Sequence, residues 1–546
     1  MFKPPRGFFR RLSAAAQGEP WVWLCAAGLI MSLVLVIGLF VLIASRALPA
    51  FWPQPVALLE LRESGALAGR IVQKYEKQTD GVRETYFKVY VGNKAVHGKN
   101  FVHVNERELL RVSYPEDMLY IDSLDGGDIF GQPQSLTLQG GLRVPVDDPR
   151  FEDFFAQLVT DTAVRRIDIL EVELGQLGEL NRHLEQNARR LRVLAKNEIQ
   201  NAAEIGEISA AQKKLQTRHE VYARKSKELH ERQDHFTLGY RVASGQSLVM
   251  PMEKIDHYYY PNRLGFFEKA DVFMQNIWRF LSEAPRQANM GGGVFPAIFG
   301  TLVMTVLMSA AVAPLGVLVA VYLHEYARPG LFSRLARAGI YNLAGVPSIV
   351  FGVIGLCFFV HLAGGTLDQL FFADALPTPT FGTGGILWAS LTLALMTLPV
   401  VVVATEQALH AVPRSVREAS MACGASQWQS LRRVVLPAAV PGMLTGLILA
   451  MARGAGEVAP LMLVGVVKLA PSLPVDAVAP FVHLERKFMH LGYHMYDLGA
   501  QSPDIDAALP LLFACILTLV LLVGALNFLA VWMRARMRKK YAVKPF

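Results

Sequence analysis

Six long runs of apolar residues divide the chain, at roughly 21–48, 296–323, 337–363, 385–410, 437–467 and 507–533. Each is long enough for a helix across a bilayer, which needs about 20 mostly apolar residues. Between the first and second runs lie about 240 mostly polar residues, enough for a domain with its own core. The pattern predicts an α-helical polytopic membrane protein with six spans and one large water-facing insertion.

Inside the insertion the period changes. Residues 66–143 read as short strands: TYFKVYV at 85–91 is β-branched and aromatic, flanked by the turn signals Asp80-Gly81 and Gly92-Asn93. Leu170, Leu177, Leu184 and Leu191 then recur every seven residues, with Ile167, Leu174, Asn181 and Ala188 as companion row. A second row follows in Ile208, Leu215, Tyr222 and Leu229, and Lys196–Gly206 between them has weak periodicity. These rows predict an antiparallel coiled-coil hairpin over 160–235, with a continuous dimeric coiled coil as the competing arrangement. Strand-like sequence returns at 237–256, so the insertion is α+β, a hairpin projecting from a β-rich base. At 265–284, Phe266, Ala270, Phe273, Ile277 and Phe280 line one helix face beside Trp278. Such a helix either lies in the outer membrane interface or packs on the exported domain.

Charge gives the orientation. Lys3, Arg6, Arg10 and Arg11 precede the first run, and Arg328, Arg334 and Arg337 lie between the second and third. Arg414, Arg417, Arg432 and Arg433 lie between the fourth and fifth, and the tail RARMRKKYAVK is basic. The loop 364–384 holds Asp368 and Asp374 and no Lys or Arg. Every basic loop falls on one side, so both termini are expected in the cytoplasm and the insertion outside. The net charge of +8 reflects this asymmetry and is weak evidence for nucleic-acid binding. The first run is too long for a cleaved signal and reads as an uncleaved anchor. Cys25, Cys357 and Cys515 sit in apolar runs and Cys423 in a connector, so the insertion has no disulfide and no zinc-ligand cluster.

No nucleophile–base arrangement stands out, and neither a catalytic group nor a cofactor or metal site is expected. His483, His490 and His494, with Met489 and Met495, invite a metal reading, but no Cys joins them. His-x3-His is also common on solvated helices, so a plain surface face is expected. GNKAVHGKN at 92–100 has one residue too many between its glycines for a phosphate loop, and Asn100 stands where Ser or Thr would hold magnesium. Any ATP is therefore handled by another chain.

The informative charges are Arg453 and Glu457 in MARGAGEVAPLML of the fifth run. An ionised side chain at the bilayer centre costs about 2.5–3.5 kcal/mol on insertion scales, so such groups face a protein interior or a water-filled path. Four apart, the two share a helical face, with thin surface at Gly454 and Gly456 and a backbone loosened at Pro460. An arginine fork suits a tetrahedral oxyanion; a structural ion pair is the equal alternative. Pro314, Pro347, Pro399 and Pro460 each interrupt a different run.

EASMACGASQWQSLRRVVLP, 418–437, resembles the cytoplasmic signature of ABC-importer membrane subunits: Glu-Ala-Ala, three residues, Gly, nine residues, an aliphatic, one residue, Leu-Pro. Glu418, Ala419, Gly424, Val434, Leu436 and Pro437 stand in register, and Ser420 replaces the second alanine. YNLAGVPSIVFGVIGL (341–356), LPVVVVATEQALHAVPRSVREAS (398–420) and ARGAGEVAPL (452–461) further resemble the phosphate-importer permease of the PstA type. Val458 departs from a threonine common there, which puts a hydroxyl contact in doubt.

The resemblance covers about 290–535 and implies a six-span type I ABC importer permease, inner-membrane and multi-pass. Its partners would be a sister permease (PstC type), two ATPase subunits (PstB type) and a periplasmic phosphate-binding protein (PstS type). It implies Arg453 and Glu457 for the substrate path, and Arg417, Glu418, Ala419, Gly424, Leu436 and Pro437 for ATPase docking. Ordinary members have a far shorter loop where this chain carries its insertion. The expected layout is a cytoplasmic N-terminus 1–20, an anchor 21–48 and a periplasmic insertion 49–290. A permease core 291–535 with coupling segment 412–437 and a basic tail 536–546 complete it. A permease for another oxyanion, a membrane sensor and an ABC-coupled envelope transducer are the competing functions. The sensor lacks an internal output domain, since the longest internal segment is about 26 residues; the transducer would not need Arg453.

Overall fold

Long uncharged runs close all their backbone hydrogen bonds within a helix, and the computed structural model shows the result. It describes residues 20–541 except 63–64, 80–81, 93, 126, 139, 197–201, 234, 287–288, 290, 377 and 478. Lys3, Arg6, Arg10, Arg11, the Asp80-Gly81 turn, Asn93, the centre of the 196–206 connection and the last five tail residues lie outside the described residues. Among the described residues six helices are long and apolar enough to cross a membrane: Trp21–Ala50, Phe295–Tyr326, Ser348–Phe371, Ile386–His410, Gln427–Gly456 and Ile505–Met537.

The fourth span is innermost. Ile386, Ala389 and Leu393 are buried with Met304 and Met308 of the second and Ala450 of the fifth. Backbones approach closely there: a Cβ on Gly442 or Gly446 would fall 2.5 Å or 2.3 Å from the Cβ of Ala408 or Ala404. This is small-residue packing at four-residue spacing, which works without a hydrophobic driving force between helices. The first span is peripheral, exposed along most of its length and set against the sixth.

Two spans differ from the sequence reading. The third run, expected at 337–363, is split. Leu331–Leu343 is a separate amphipathic helix, and the crossing helix starts at Ser348. Pro347 is its N-cap, because a proline disfavours helix in the residue before it. The fifth, expected at 437–467, starts ten residues earlier and stops at Gly456. Pro460 caps a short separate helix, Leu461–Val464. Pro314 and Pro399 do sit inside helices.

The insertion holds two antiparallel sheets. In the first, β1 (Ala57–Leu61), β2 (Gly65–Thr79), β3 (Val82–Tyr90), β4 (Phe101–Asn105) and β5 (Leu109–Ser113) run in the order β4-β3-β2-β1-β5. The second combines β6 (Leu119–Ser123), β7 (Gly127–Thr137), β9 (Thr237–Arg241), β10 (Ser247–Pro251) and β11 (Ile255–Tyr259) in the order β10-β9-β7-β6-β11. Here β8 (Arg143–Pro145) pairs with β7. The start of the helix at Phe151 covers the second sheet, with Phe151, Phe155 and Leu158 buried on Leu136, Leu238, Met252 and Ile255.

Arg70 of β2 joins the two sheets. Its guanidinium pairs with Asp128 of β7 and lies 5.2–5.4 Å from the ring centroids of Tyr90, Tyr120 and Phe130. The Tyr120 hydroxyl donates to the other Asp128 oxygen at 2.9 Å. Removing one partner of such a pair strands the other charge. Asp128→Ala is therefore expected to destabilise the insertion by about 3 kcal/mol, read as earlier proteolysis and a lower unfolding midpoint. An unchanged midpoint would show that the pair is dispensable.

Helices over 151–196 and at Ala202–Gln233 pack antiparallel: Ser226 Oγ donates to Glu173 at 2.6 Å, and Arg190 lies 3.7 Å from Glu204 nearer the tip. The buried seam is Ile169, Val172, Leu180 and Leu194 facing Ile208; Ile208 falls on the expected second row, whereas the four buried residues of the first helix lie off the expected heptad rows. Before the turn the buried face runs through Leu158, Thr162 and Ile169, leaving Ile167 65% exposed, and the widened π-type turn at Glu171–Leu177 leaves Leu174 67% exposed. The helix Phe266–Ser282 packs on the chain leaving the first span. Phe280 lies 5.1 Å from Phe51, Phe273 lies 5.6 Å from Trp52, and Asn276 donates to the Phe51 carbonyl at 2.9 Å. Phe267, Met274 and Trp278 remain exposed on its other side. Two contacts tie the first sheet to the entry of the sixth span: Lys88 to Asp506 at 2.7 Å, and Asn100 Nδ2 to Asp504 at 2.7 Å.

Candidate functional site

Arg453 stands in the last turn of the fifth span, where the carbonyl ends of the helix favour a cation. Its Nε is 3.5 Å from Glu457 Oε1, yet its side chain is 38% exposed on the free side of the helix. The expected common helical face is not the reason for this pairing. The helix has ended at Gly456, and Glu457 has extended backbone (φ −80°, ψ 135°), so its side chain turns back. Gly454 faces inward instead: a Cβ there would fall 2.4 Å from Met308 Sδ of the second span, whereas Gly456 faces open space. The result is a guanidinium presented outward from a rigid apolar wall, with one carboxylate beside it.

The break after Gly456 is clamped by its neighbours. A Cβ on Gly352 of the third span would sit 2.7 Å from Pro460 Cα. The chain at 488–492 threads between the second span and Val458: a Cβ on Gly300 would meet the Met489 carbonyl at 2.1 Å, and one on Gly492 would meet Val458 at 2.7 Å. His490 and His494 are therefore buried in this packing, correcting the expected surface face, because apolar neighbours press them on the second and sixth spans. His490 Nδ1 accepts from the Gly492 N–H at 3.1 Å. His483 sits apart, between Asp476 at 3.1 Å and Glu485 at 3.3 Å. Apolar residues alternating with the histidines in FMHLGYHMYDLG were the available signal.

At the other end of the fifth span lies the segment 412–437. Arg414–Ala422 is a short helix with Pro413 at its N-cap. Gly424 then has φ +87°, a left-handed conformation that favours glycine. Ser426 caps the next helix by accepting from the Gln429 N–H. From Gln427 the chain is helical without a break to Gly456. Glu418, Ala419, Met421, Ala422, Gly424 and Trp428 are exposed, while Leu436 and Pro437 are half-buried.

Arg417 is placed differently from the others. It reaches inward to Glu325 at 2.9 Å and donates to the Leu409 carbonyl at 2.8 Å, binding the short helix to the ends of the second and fourth spans. Glu325 was missed because it lies far away in sequence. A second overlooked pair, Arg337 with Glu406 at 3.5 Å, ties the separate helix to the fourth span; an ionisable Glu406 inside an apolar run was the signal for it.

A further charged cluster sits where the insertion meets the second span. Asp122, Asp256 and His257 converge, and the Asp256 and Asp122 carboxylates lie 3.1 Å and 3.8 Å from Arg286. Arg166 adds a contact to Asp256 at 3.1 Å, so arginines already supply the positive charge a cation would bring. Burial, with the neighbouring carboxylates Asp128 and Asp256, pushes Asp122 up to about 6 against His257 and Arg286. Asp256 is also penalised by burial, but its His257 hydrogen bond and Arg286 hold it below the usual carboxylate range. A raised carboxylate favours the folded state while protonated, so that contribution is lost as pH rises from about 4 through about 6. The Asp256 contribution is lost only below that window. Asp122→Asn is expected to raise the unfolding midpoint at pH 7.5 by a few degrees and flatten its pH dependence between 4 and 6. A lower midpoint at pH 7.5 would contradict this assignment.

With this geometry in hand, residues 312–539 match the family described as binding-protein-dependent transport system inner membrane component. The probable ABC transporter permease protein YqgH of Bacillus subtilis is 35% identical over 35% of this chain and 59% of its own length. The phosphate transport system permease protein PstA of Mycobacterium leprae is 41% identical over 32% of this chain and 52% of its own. PstA 2 of Mycobacterium bovis, also named a phosphate transport system permease protein, is 33% identical over 44% of this chain and 73% of its own. The chain thus spans little more than half the length of the first two.

Proposed function

The chain belongs to the binding-protein-dependent inner-membrane transport components, and from that premise we propose that it is the PstA-type permease subunit of an ATP-driven phosphate importer. It forms half of the translocation path and has no enzymatic role of its own. What carries the reading is one continuous helix. It starts in the exposed segment beside Gly424 and ends, 26 residues after Gln427 and roughly 39 Å away, at the outward guanidinium of Arg453.

In this reading Glu418, Ala419 and Gly424 seat in a groove of the ATPase, and Leu436 and Pro437 mark entry to the span. Arg417 fastens the element to the core, which supports rigid-body transmission. Closure of two PstB-type ATPases pushes the short helix, and the fifth span carries that displacement to Arg453. The guanidinium offers paired donors to a phosphate oxyanion, and Glu457 keeps the hold loose enough for release. The free side of Arg453 faces the sister subunit of PstC type, and a PstS-type protein delivers phosphate. Both termini lie in the cytoplasm of a bacterial inner membrane, with 49–290 in the periplasm.

Uptake into vesicles holding the assembled transporter tests this. Phosphate accumulation is expected to need ATP, to be competed by arsenate and to ignore sulfate. Equal competition by sulfate would favour a broader oxyanion permease, and ATP hydrolysis without uptake of any of them would favour an envelope transducer.

A further inference from the structure

Two stretches of the hairpin helices are strongly basic. Residues 182–196 and 213–227 contain 11 Lys and Arg against two Glu, out of 54 basic and 46 acidic residues in the whole chain. Over 151–233 as a whole, 14 basic and 14 acidic residues balance, so the positive excess is confined to these two stretches, which face each other across the hairpin. Some of this charge is spent locally, since Arg189 pairs with Glu185 at 2.7 Å, Arg190 with Glu204 at 3.7 Å and Lys227 with Glu231 at 3.8 Å. Lys213, Lys214, Arg218, Arg224 and Lys225 are exposed, with no carboxylate within 4 Å among the described residues.

Lys214 and Arg218, one turn apart, line a groove of about 400 Å³ between the helices, opposite His183 and Asn187; one carboxylate, Glu179, lines it as well, 3.8 Å from His183. Its floor includes Gln176, whose side-chain oxygen is buried without a partner.

We propose that this groove and the basic faces beside it bind a linear chain of phosphate groups. Cations one and two turns apart on a helix stand about 6 Å and 10 Å from each other, too far for one orthophosphate to satisfy several of them. A chain carrying a charge on every phosphate engages them together, and arginine forks match phosphate oxygens. A protein partner would require an apolar centre to its interface. Within these two stretches Val221 is the only large exposed hydrophobic side chain among the described residues. The proposal stands on the hairpin's own geometry and goes beyond the transport reading.

The test uses the full chain in phosphatidylcholine nanodiscs, titrated with linear polyphosphate, orthophosphate and polyglutamate at equal total charge. Polyphosphate is expected to bind, with affinity that falls steeply as salt rises. The double variant Lys214→Glu, Arg218→Glu should weaken it about tenfold or more, while Lys214→Arg, Arg218→Lys retains it at unchanged helix content. Polyglutamate binding as tightly would assign the surface to acidic proteins and overturn the ligand class. Orthophosphate competing mole for mole, or the charge-reversed variant binding normally, would overturn the site. ATP-driven phosphate uptake by the charge-reversed variant should match the wild type, so this proposal and the transport reading can fail separately.

Discussion

Arg453→Ala is expected to reduce ATP-driven phosphate uptake by about ten- to a hundredfold while the complex assembles and retains basal ATP hydrolysis. The size follows from the lost interaction: a charge-assisted hydrogen bond contributes about 1.5–3 kcal/mol, and that range corresponds to about one to two decades in rate. Assembly is spared because the side chain is partly exposed and, among the described residues, its ion pair is with Glu457 alone. Arg453→Lys keeps the charge but loses the planar fork, so it should fall between the two. Normal uptake by Arg453→Ala in reconstituted vesicles would remove the arginine from the path and leave the structural ion pair as its role.

Gly424→Val should cut co-purification of the ATPase about tenfold without unfolding the core. No atom lies within 4 Å of a Cβ at this position, so the effect is one of backbone conformation. At φ +87° an L-residue is penalised by about 1–2 kcal/mol, and a β-branched one by more. The turn would relax and swing the helix Arg414–Ala422 away from its seat. Asn tolerates this conformation, so Gly424→Asn should restore association. ATPase recovery unchanged in Gly424→Val would rule against the segment as a docking element.

Legibility in the sequence followed the range of the interactions. The six spans were readable because a run of apolar residues decides membrane insertion by itself. The left-handed turn at Gly424 was equally local. The ends of the third and fifth spans were harder: Pro347 and Pro460 read as kinks within helices, but each stands at a helix start. Packing against Gly352 and Gly492, both distant in sequence, holds the second of these breaks. In the hairpin, heptad spacing located the second row from Ile208, but the π-type turn at Glu171–Leu177 breaks the regular spacing of the first helix at Leu174. Arg417 shows the limit most clearly. It adjoins the docking pattern that begins at Glu418, but Glu325, which claims its guanidinium, comes from another span, and nothing near Arg417 encodes it.

The contacts of Lys88 and Asn100 with Asp506 and Asp504 fasten the first sheet to the sixth span, and the sheets in turn hold the root of the hairpin at Phe151. The helix over 151–196 spans 46 residues, about 69 Å at 1.5 Å per residue. Such an attachment makes the hairpin a pointer on a short pivot. A tilt of about 5° at the sixth span would carry the far end through roughly 6 Å by this length, so a label near residue 205 would register movements of the spans too small to follow within the membrane itself.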